Sequence, residues 1–320
     1  MTSRIMAPAF ALLLACLFMP VTGGAAAPTK AKTRHWFNLP SFAQVGLIEV
    51  WGDIMDPAPY VRQVRKLDRN PLVKGIILRV ESPGGDVGAV QEIYDELLRY
   101  KEAKPGRIIV ASFGGVAASG GYYLACAADR IFSNPGTLTG SIGVKMEFVD
   151  AEDLMKKVGV RYSVVKSGRF KDIGNFARKM DPEELALLQS TIDDVYEQFL
   201  DAVATARTAK VKEALARERG KGAPKPTDRA ARAFIRSISD GRVFSGRQAE
   251  FAGLVDEMGG LDDAIDAAGE MLGTGGRPSV VSEKRRKESN WWDMFSSVLL
   301  GPAQALSPNR GSGPRLRYSL

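Results

Sequence analysis

Val73-Lys74-Gly75-Ile76-Ile77-Leu78-Arg79-Val80 is a mostly apolar, β-favouring run that stops at Ser82-Pro83-Gly84-Gly85. It reads as a buried strand closed by a rigid glycine turn. Val87–Tyr100 follows at once, with apolar residues at helical spacing. The order then repeats. Arg107–Ser112 reads as a strand, Gly114-Gly115-Val116-Ala117-Ala118-Ser119-Gly120-Gly121-Tyr122-Tyr123 as a glycine- and alanine-rich turn, and a short helix continues through Ala127. Strand, glycine turn and helix, twice over, imply parallel pairing with crossover helices, an α/β fold. Such folds place ligands at the carboxyl ends of their strands, where both turns lie.

Working outward, Val45–Trp51 alternates as a strand and Tyr60–Asp68 has helical spacing. Arg130–Phe132 and Arg161–Val165 read as further strands. Asp181-Pro182-Glu183-Glu184 starts a long helix running to Arg219, and Gly220–Thr227 breaks it. Asp228–Ile238 is helical, Gly241–Phe244 a strand, Ser245–Gly253 a short capped helix, and Leu261–Leu272 closes the domain, with no internal repeat. The domain is placed at 43–273.

Residues 1–27 read as an export signal or a retained membrane anchor. Arg4 precedes the apolar run Pro8–Val21, and Gly23–Ala27 supplies small residues for cleavage. A polar linker, 28–42, follows. The domain is therefore expected in the periplasm or on the extracytoplasmic face of the inner membrane. The tail, 274–320, carries the basic cluster Lys284–Lys287 and then Trp291-Trp292. That pattern suits a helix lying on a membrane surface, or one docked on this protein or a neighbouring subunit. From Gly311 onward, disorder is expected.

The 320 residues carry a net charge of +7, one histidine and two cysteines. Cys16 lies in the leader, so Cys126 is the domain's single thiol. A disulfide framework and a structural zinc site are excluded, and no cofactor is expected. The basic stretches lack interleaved stacking aromatics, which argues against nucleic acid and leaves solvent or anionic lipid as their partner.

Ser119 is the candidate nucleophile, flanked by small residues that let a substrate backbone approach. The sole histidine, His35, lies just behind the leader, so a Ser-His-Asp triad is not available. A lysine is the usual substitute base. The Gly120 amide, at a helix start, and the glycines of Ser82-Pro83-Gly84-Gly85 offer donors to an oxyanion. Lys166-Ser167-Gly168-Arg169-Phe170-Lys171-Asp172-Ile173-Gly174 provides two lysines near a turn. A lysine accepts a proton only when neutral, and a shift of about three units toward that state costs roughly 4 kcal/mol of solvation. Phe170 and Ile173 give Lys171 apolar cover. Asp172 must point away from it. Composition alone does not choose between these lysines.

The run from Gly115 to Tyr123 resembles the nucleophile motif of the signal peptide peptidase A family, the S49 serine peptidases. Further segments resemble family motifs in family order: Ser82-Pro83-Gly84-Gly85, Thr137–Gly143, Lys166–Asp172, Gly241–Gly246 with Ala249, and Gly253–Asp256. The likeness covers about Val45 to Leu272. It implies a Clp/crotonase-like fold and a Ser-Lys dyad. Ser119 falls on the nucleophile, Lys171 on the general base, Ser141 on the serine that orients the lysine, and Gly85 and Gly120 on the oxyanion donors. The chain resembles the half-length type. In double-length members the serine and lysine come from different halves, so here the resemblance implies a homo-oligomeric ring with Lys171 supplied by a neighbouring subunit. The implied activity is endopeptidase cleavage of small apolar peptides such as remnant signal peptides. Alternatives are a protease dedicated to one membrane-protein partner, as in stomatin-associated relatives, and an inactive peptide-binding scaffold.

Overall fold

The computed structural model describes residues 43–220 and 222–282, and the backbone of 317–319. The expected leader, the linker, the basic cluster and the tryptophan pair lie outside the described residues. Among the described residues, no helix is long and apolar enough to cross a membrane.

In chain order the sheet strands are β1 (Gln44–Trp51), β2 (Val73–Ser82), β3 (Gly84–Asp86), β4 (Ile108–Ala118), β5 (Arg130–Ser133), β6 (Leu138–Gly140), β7 (Val243–Ser245), β8 (Glu257–Met258), β9 (Ser279–Ser282) and β10 (Arg317–Ser319). The main sheet runs β7-β6-β4-β2-β1-β9, with β5 beside β4 and β8 beside β5. Every pairing in it is parallel except β6–β7. The helices are α1 (Ala58–Arg69), α2 (Val87–Glu102), α3 (Gly120–Ala125), α4 (Glu152–Lys157), α5 (Pro182–Arg219), α6 (Asp228–Ile238), α7 (Gly246–Phe251) and α8 (Leu261–Leu272). The chain is thus α/β with a mostly parallel sheet, as the alternating pattern requires.

Helices cover both faces, which is why β2 reads as a near-continuous apolar run. On one face Val45, Ile77, Val110 and Phe132 pack with Ala264, Ile265 and Ala268 of α8. On the other, Ile76, Leu78 and Phe113 belong to a larger core with residues of α1, α2, α3 and α5. The long helix α5 begins at a capping box. The Asp181 carboxylate accepts from the Glu184 amide at 2.9 Å, and Glu184 accepts from the Asp181 amide at 3.0 Å.

Two expectations need correction. Gly114–Ala118 is not a turn; β4 continues through it, with a bulge, to Ala118. Arg161–Val165 is not a strand but irregular and exposed, because no neighbouring strand pairs with it. Beyond residue 273, β9 adds an edge to the sheet beside β1. Residues 317–319 pair with β3.

The first correction has a physical cause. β4 pairs with β2 regularly up to Val80 opposite Phe113, then resumes with Ser82 opposite Ala117. Residues 114–116 therefore bulge out against Glu81 alone. The Glu81 carboxylate fills the bulge, accepting from the Gly115 amide at 2.7 Å and the Val116 amide at 3.1 Å. A Cβ on Gly114 would sit 1.6 Å from a Glu81 oxygen, so any larger residue there would displace the Glu81 carboxylate. Past the bulge β4 changes partner: Val110–Ser112 pair with β5, Val116–Ala118 with β6.

Candidate active site

The end of β4 delivers Ser119 into α3. Its backbone is unusual for a non-glycine residue, with φ 50° and ψ −115°. Such strain persists only where the surroundings over-determine it, and it clusters at functional sites. The Ser119 amide donates to the Gly140 carbonyl at 2.8 Å. Its side chain is fully buried, yet Oγ has no hydrogen-bond partner among the described residues.

The Ser82–Gly85 turn meets the start of α3. Ser82 Oγ donates to the Gly52 carbonyl at 2.6 Å and accepts from the Gly84 amide at 3.1 Å. Gly84 has φ 119°, a region open to glycine. A Cβ on Gly85 would lie 2.2 Å from the Ile54 carbonyl oxygen, so the backbones approach too closely for any side chain. A Cβ on Gly121 would lie 2.9 Å from the Ser82 carbonyl oxygen. The start of α3 and the Ser82–Gly85 turn are therefore in contact, which puts Ser119, Gly120 and Gly85 in one neighbourhood.

β6 braces the strand that carries Ser119 from the other side. Thr137 and Thr139 donate their hydroxyls to the carbonyls of Gly114 and Ala117, at 2.5 and 2.6 Å. Ser141 follows directly, also at positive φ (48°), with its amide donating to the Arg242 carbonyl at 2.8 Å. Ser141 forms part of the wall of a cavity of about 440 Å³, with Lys145, Ile192 and Tyr196.

Lys171 does not join this group within one chain. It lies exposed on a short 3-10 turn, Arg169–Asp172. Asp172 points away from it. The Asp172 carboxylate accepts from Arg178 at 2.8 and 3.0 Å and from Lys166, and these partners hold its carboxyl well below the usual range. Lys166 is thereby committed to Asp172, whereas the Lys171 amine has no side-chain partner among the described residues.

Behind α3 the support is rigid. The Tyr122 hydroxyl donates to the Leu254 carbonyl at 2.8 Å. Arg207 and Asp256, both almost fully buried, pair at 2.8 Å, and Asp256 accepts the Ile131 amide. Cys126 is buried, with its thiol pushed up to about 12 by burial, so it packs and does not compete as a nucleophile.

The sequence alone did not single out Glu81, Thr137 or Thr139 as supports of the nucleophile strand. A carboxylate closing an apolar strand was the one available signal for Glu81; its target, two amides far along the chain, emerges only with the bulge.

Comparison with known proteins now bears on this arrangement. A Clp protease model matches residues 53–137, and the model of peptidase family S49 matches 101–221. A chain named as a protease in Synechocystis sp. is 37% identical over 247 residues, 77% of this chain and 78% of that one. The chain belongs to peptidase family S49. Other S49 relatives include a signal peptide peptidase SppA of Enterococcus faecium, 32% identical over 208 residues, covering 65% of this chain and 54% of that one. Protease 4 of Salmonella typhi is 35% identical over 209 residues, 65% of this chain but 30% of its own length. This S49 chain is a serine peptidase on a Clp protease-like fold.

Proposed function

We propose that the chain is an exported, membrane-associated endopeptidase that cuts small apolar peptides such as remnant signal peptides, with Ser119 as nucleophile and Lys171 of a second copy as general base. The observation that carries this reading is a pair of complementary deficits. Among the described residues, the buried Ser119 hydroxyl lacks a partner, and the exposed Lys171 amine lacks a side-chain partner. The region around Lys171 also exposes Val158, Val160, Tyr162, Val165 and Phe176, an apolar surface suited to burial against another copy. An amine acts as a base only when uncharged, and burial in an assembled interface favours that form.

In the proposed reaction the neutral Lys171 amine takes the Ser119 hydroxyl proton as Oγ bonds to the substrate carbonyl carbon. The Gly85 and Gly120 amides stabilise the oxyanion. The C–N bond breaks as Lys171 returns the proton to the leaving amine. Water, deprotonated by the same lysine, then releases the acyl group from Ser119. Ser141 holds the lysine in line.

Mixing two inactive variants tests this. Ser119→Ala and Lys171→Ala chains should each be inactive on a fluorogenic apolar peptide. Co-assembled in equal amounts, they should regain roughly a quarter of wild-type activity, because that share of sites pairs an intact serine with an intact lysine across a subunit contact. No recovery from a properly assembled mixture, or full activity in either variant alone, removes the shared dyad.

A further inference from the structure

We infer that Tyr122 is a positioning residue for the reaction: its buried hydroxyl, anchored through the Leu254 carbonyl to the Arg207–Asp256 pair, holds the start of α3 so that Ser119 Oγ and the Gly120 amide keep their aim. The inference rests on the reading of Ser119 as nucleophile. α3 has only six residues, too few to be held by its own hydrogen bonds. The strained backbone of Ser119 must therefore be fixed from outside, on both sides. Upstream, its amide is held by the Gly140 carbonyl. Downstream, its carbonyl accepts from the Tyr123 amide at 2.8 Å, within the turn that Tyr122 ties down. Tyr122 is fully buried, with its ring packed edgewise against Phe113 of β4, 6.3 Å between centroids. Burial raises its phenol well above the ordinary range, so the oxygen keeps its proton and donates.

The acceptor is fixed as firmly as the donor. Leu254 follows Gly253, whose φ of 80° is a region open to glycine. A Cβ on Gly253 would lie 2.9 Å from the Lys210 carbonyl, so this turn sits directly on the backbone of α5. Arg207, one turn earlier on α5, donates Nε to the Gly253 carbonyl at 2.9 Å and grips both Asp256 oxygens, at 2.8 and 3.1 Å. Asp256 in turn joins β5. Its carboxylate accepts from the Ile131 amide at 2.8 Å, and its amide donates to the Ile131 carbonyl at 3.0 Å. The residues on either side of Leu254 are thus pinned to α5 and β5. A buried ion pair often adds little net stability over an apolar filling of the same space, but the guanidinium fork fixes direction. Here that direction passes from Arg207 to the Leu254 carbonyl, then to Tyr122 and the serine three places before it. A misplacement of about 1 Å at a reacting group can cost about a hundredfold in rate.

The test is Tyr122→Phe in the full-length, assembled protein, which keeps the ring and removes only the hydroxyl. On a fluorogenic apolar peptide, kcat per active chain should fall about ten- to hundredfold with KM within about twofold, because the hydroxyl is buried and touches no substrate. Active chains are counted with a fluorophosphonate probe, whose phosphorus bonds to Ser119 Oγ as fluoride leaves and the hydroxyl proton passes to the base. The rate of this labelling should fall by a similar factor. A hydroxyl that merely supports the fold would lower the melting temperature and the fraction of chains labelled, with kcat per labelled chain and the labelling rate unchanged. That result overturns the assignment and leaves the nucleophile reading standing. Arg207→Lys keeps the charge but cannot hold both Asp256 oxygens and the Gly253 carbonyl together. It should lower kcat in the same way, and the double variant should be no slower than Tyr122→Phe alone. Losses that multiply overturn the link through Arg207. Where Tyr122→Phe fails to assemble, Arg207→Lys carries the same kinetic reading. Peptide hydrolysis by the wild-type chain with no probe on Ser119 overturns the nucleophile reading and the assignment with it.

Discussion

At the scale of single residues, the site holds energy that the fold alone does not need. Ser119 combines positive φ with a buried hydroxyl that bonds to none of the described residues. An unsatisfied buried polar group costs about 1–3 kcal/mol. Ser119→Ala removes that group without changing the backbone requirement. In dilute, dissociated protein it should raise the unfolding free energy by about 1 kcal/mol while abolishing hydrolysis, a trade-off expected where function opposes stability. Urea unfolding beside a peptide assay checks both halves; a destabilised variant would mean that the hydroxyl supports the fold. Gly85 is constrained differently, because the Ile54 backbone fills the place of its side chain.

At the scale of elements, the proposed nucleophile is aimed by a defect in strand pairing. Glu81 closes the bulge in β4 through two amides. Glu81→Ala leaves both without their acceptor and should cost about 1–3 kcal/mol. It should also lower kcat more than it raises KM, because the displaced strand carries Ser119. Steady-state kinetics with thermal melts measure the split, and a pure KM effect would assign Glu81 to substrate binding. Much of this architecture is legible in the sequence. The apolar runs of β1 and β2, the helical spacing of α2 and the capped start of α5 all declare themselves locally. The continuation of β4 does not, because glycines and alanines at 114–118 look like a turn until a carboxylate from another strand holds them extended. Arg161–Val165 misleads in the opposite sense: alternation marks a strand only where an edge is available to pair with. The two lysines near the candidate base could not be told apart by type. Their difference lies in Asp172, whose choice of Lys166 and Arg178 is a matter of three dimensions.

At the scale of the whole molecule, the segment bearing Lys171 is held by charge as much as by packing. Arg178 joins Asp172 to Glu184 at the start of α5. Arg178 and Lys166 depress the Asp172 carboxyl, so its stabilising effect is complete above the ordinary carboxylate value of about 3.9 and fades as pH falls through the lower native value. Hydrogen exchange across 166–178, corrected for intrinsic rate, should show protection at pH 5 and opening only as pH drops from about 4 toward 2. Arg178→Gln should move the onset of opening to higher pH. Opening already at pH 5 in the wild type would show that the network does not hold this segment.

The hydroxyl of Ser119, idle within its own chain, has a consequence for timing. If the base comes from a second copy, as proposed, a newly made molecule that meets no other of its kind has nothing to draw off the serine's proton and would leave the polypeptides around it intact. Crowding would then be the trigger. Cutting would begin only where copies accumulate, and cease when they drift apart.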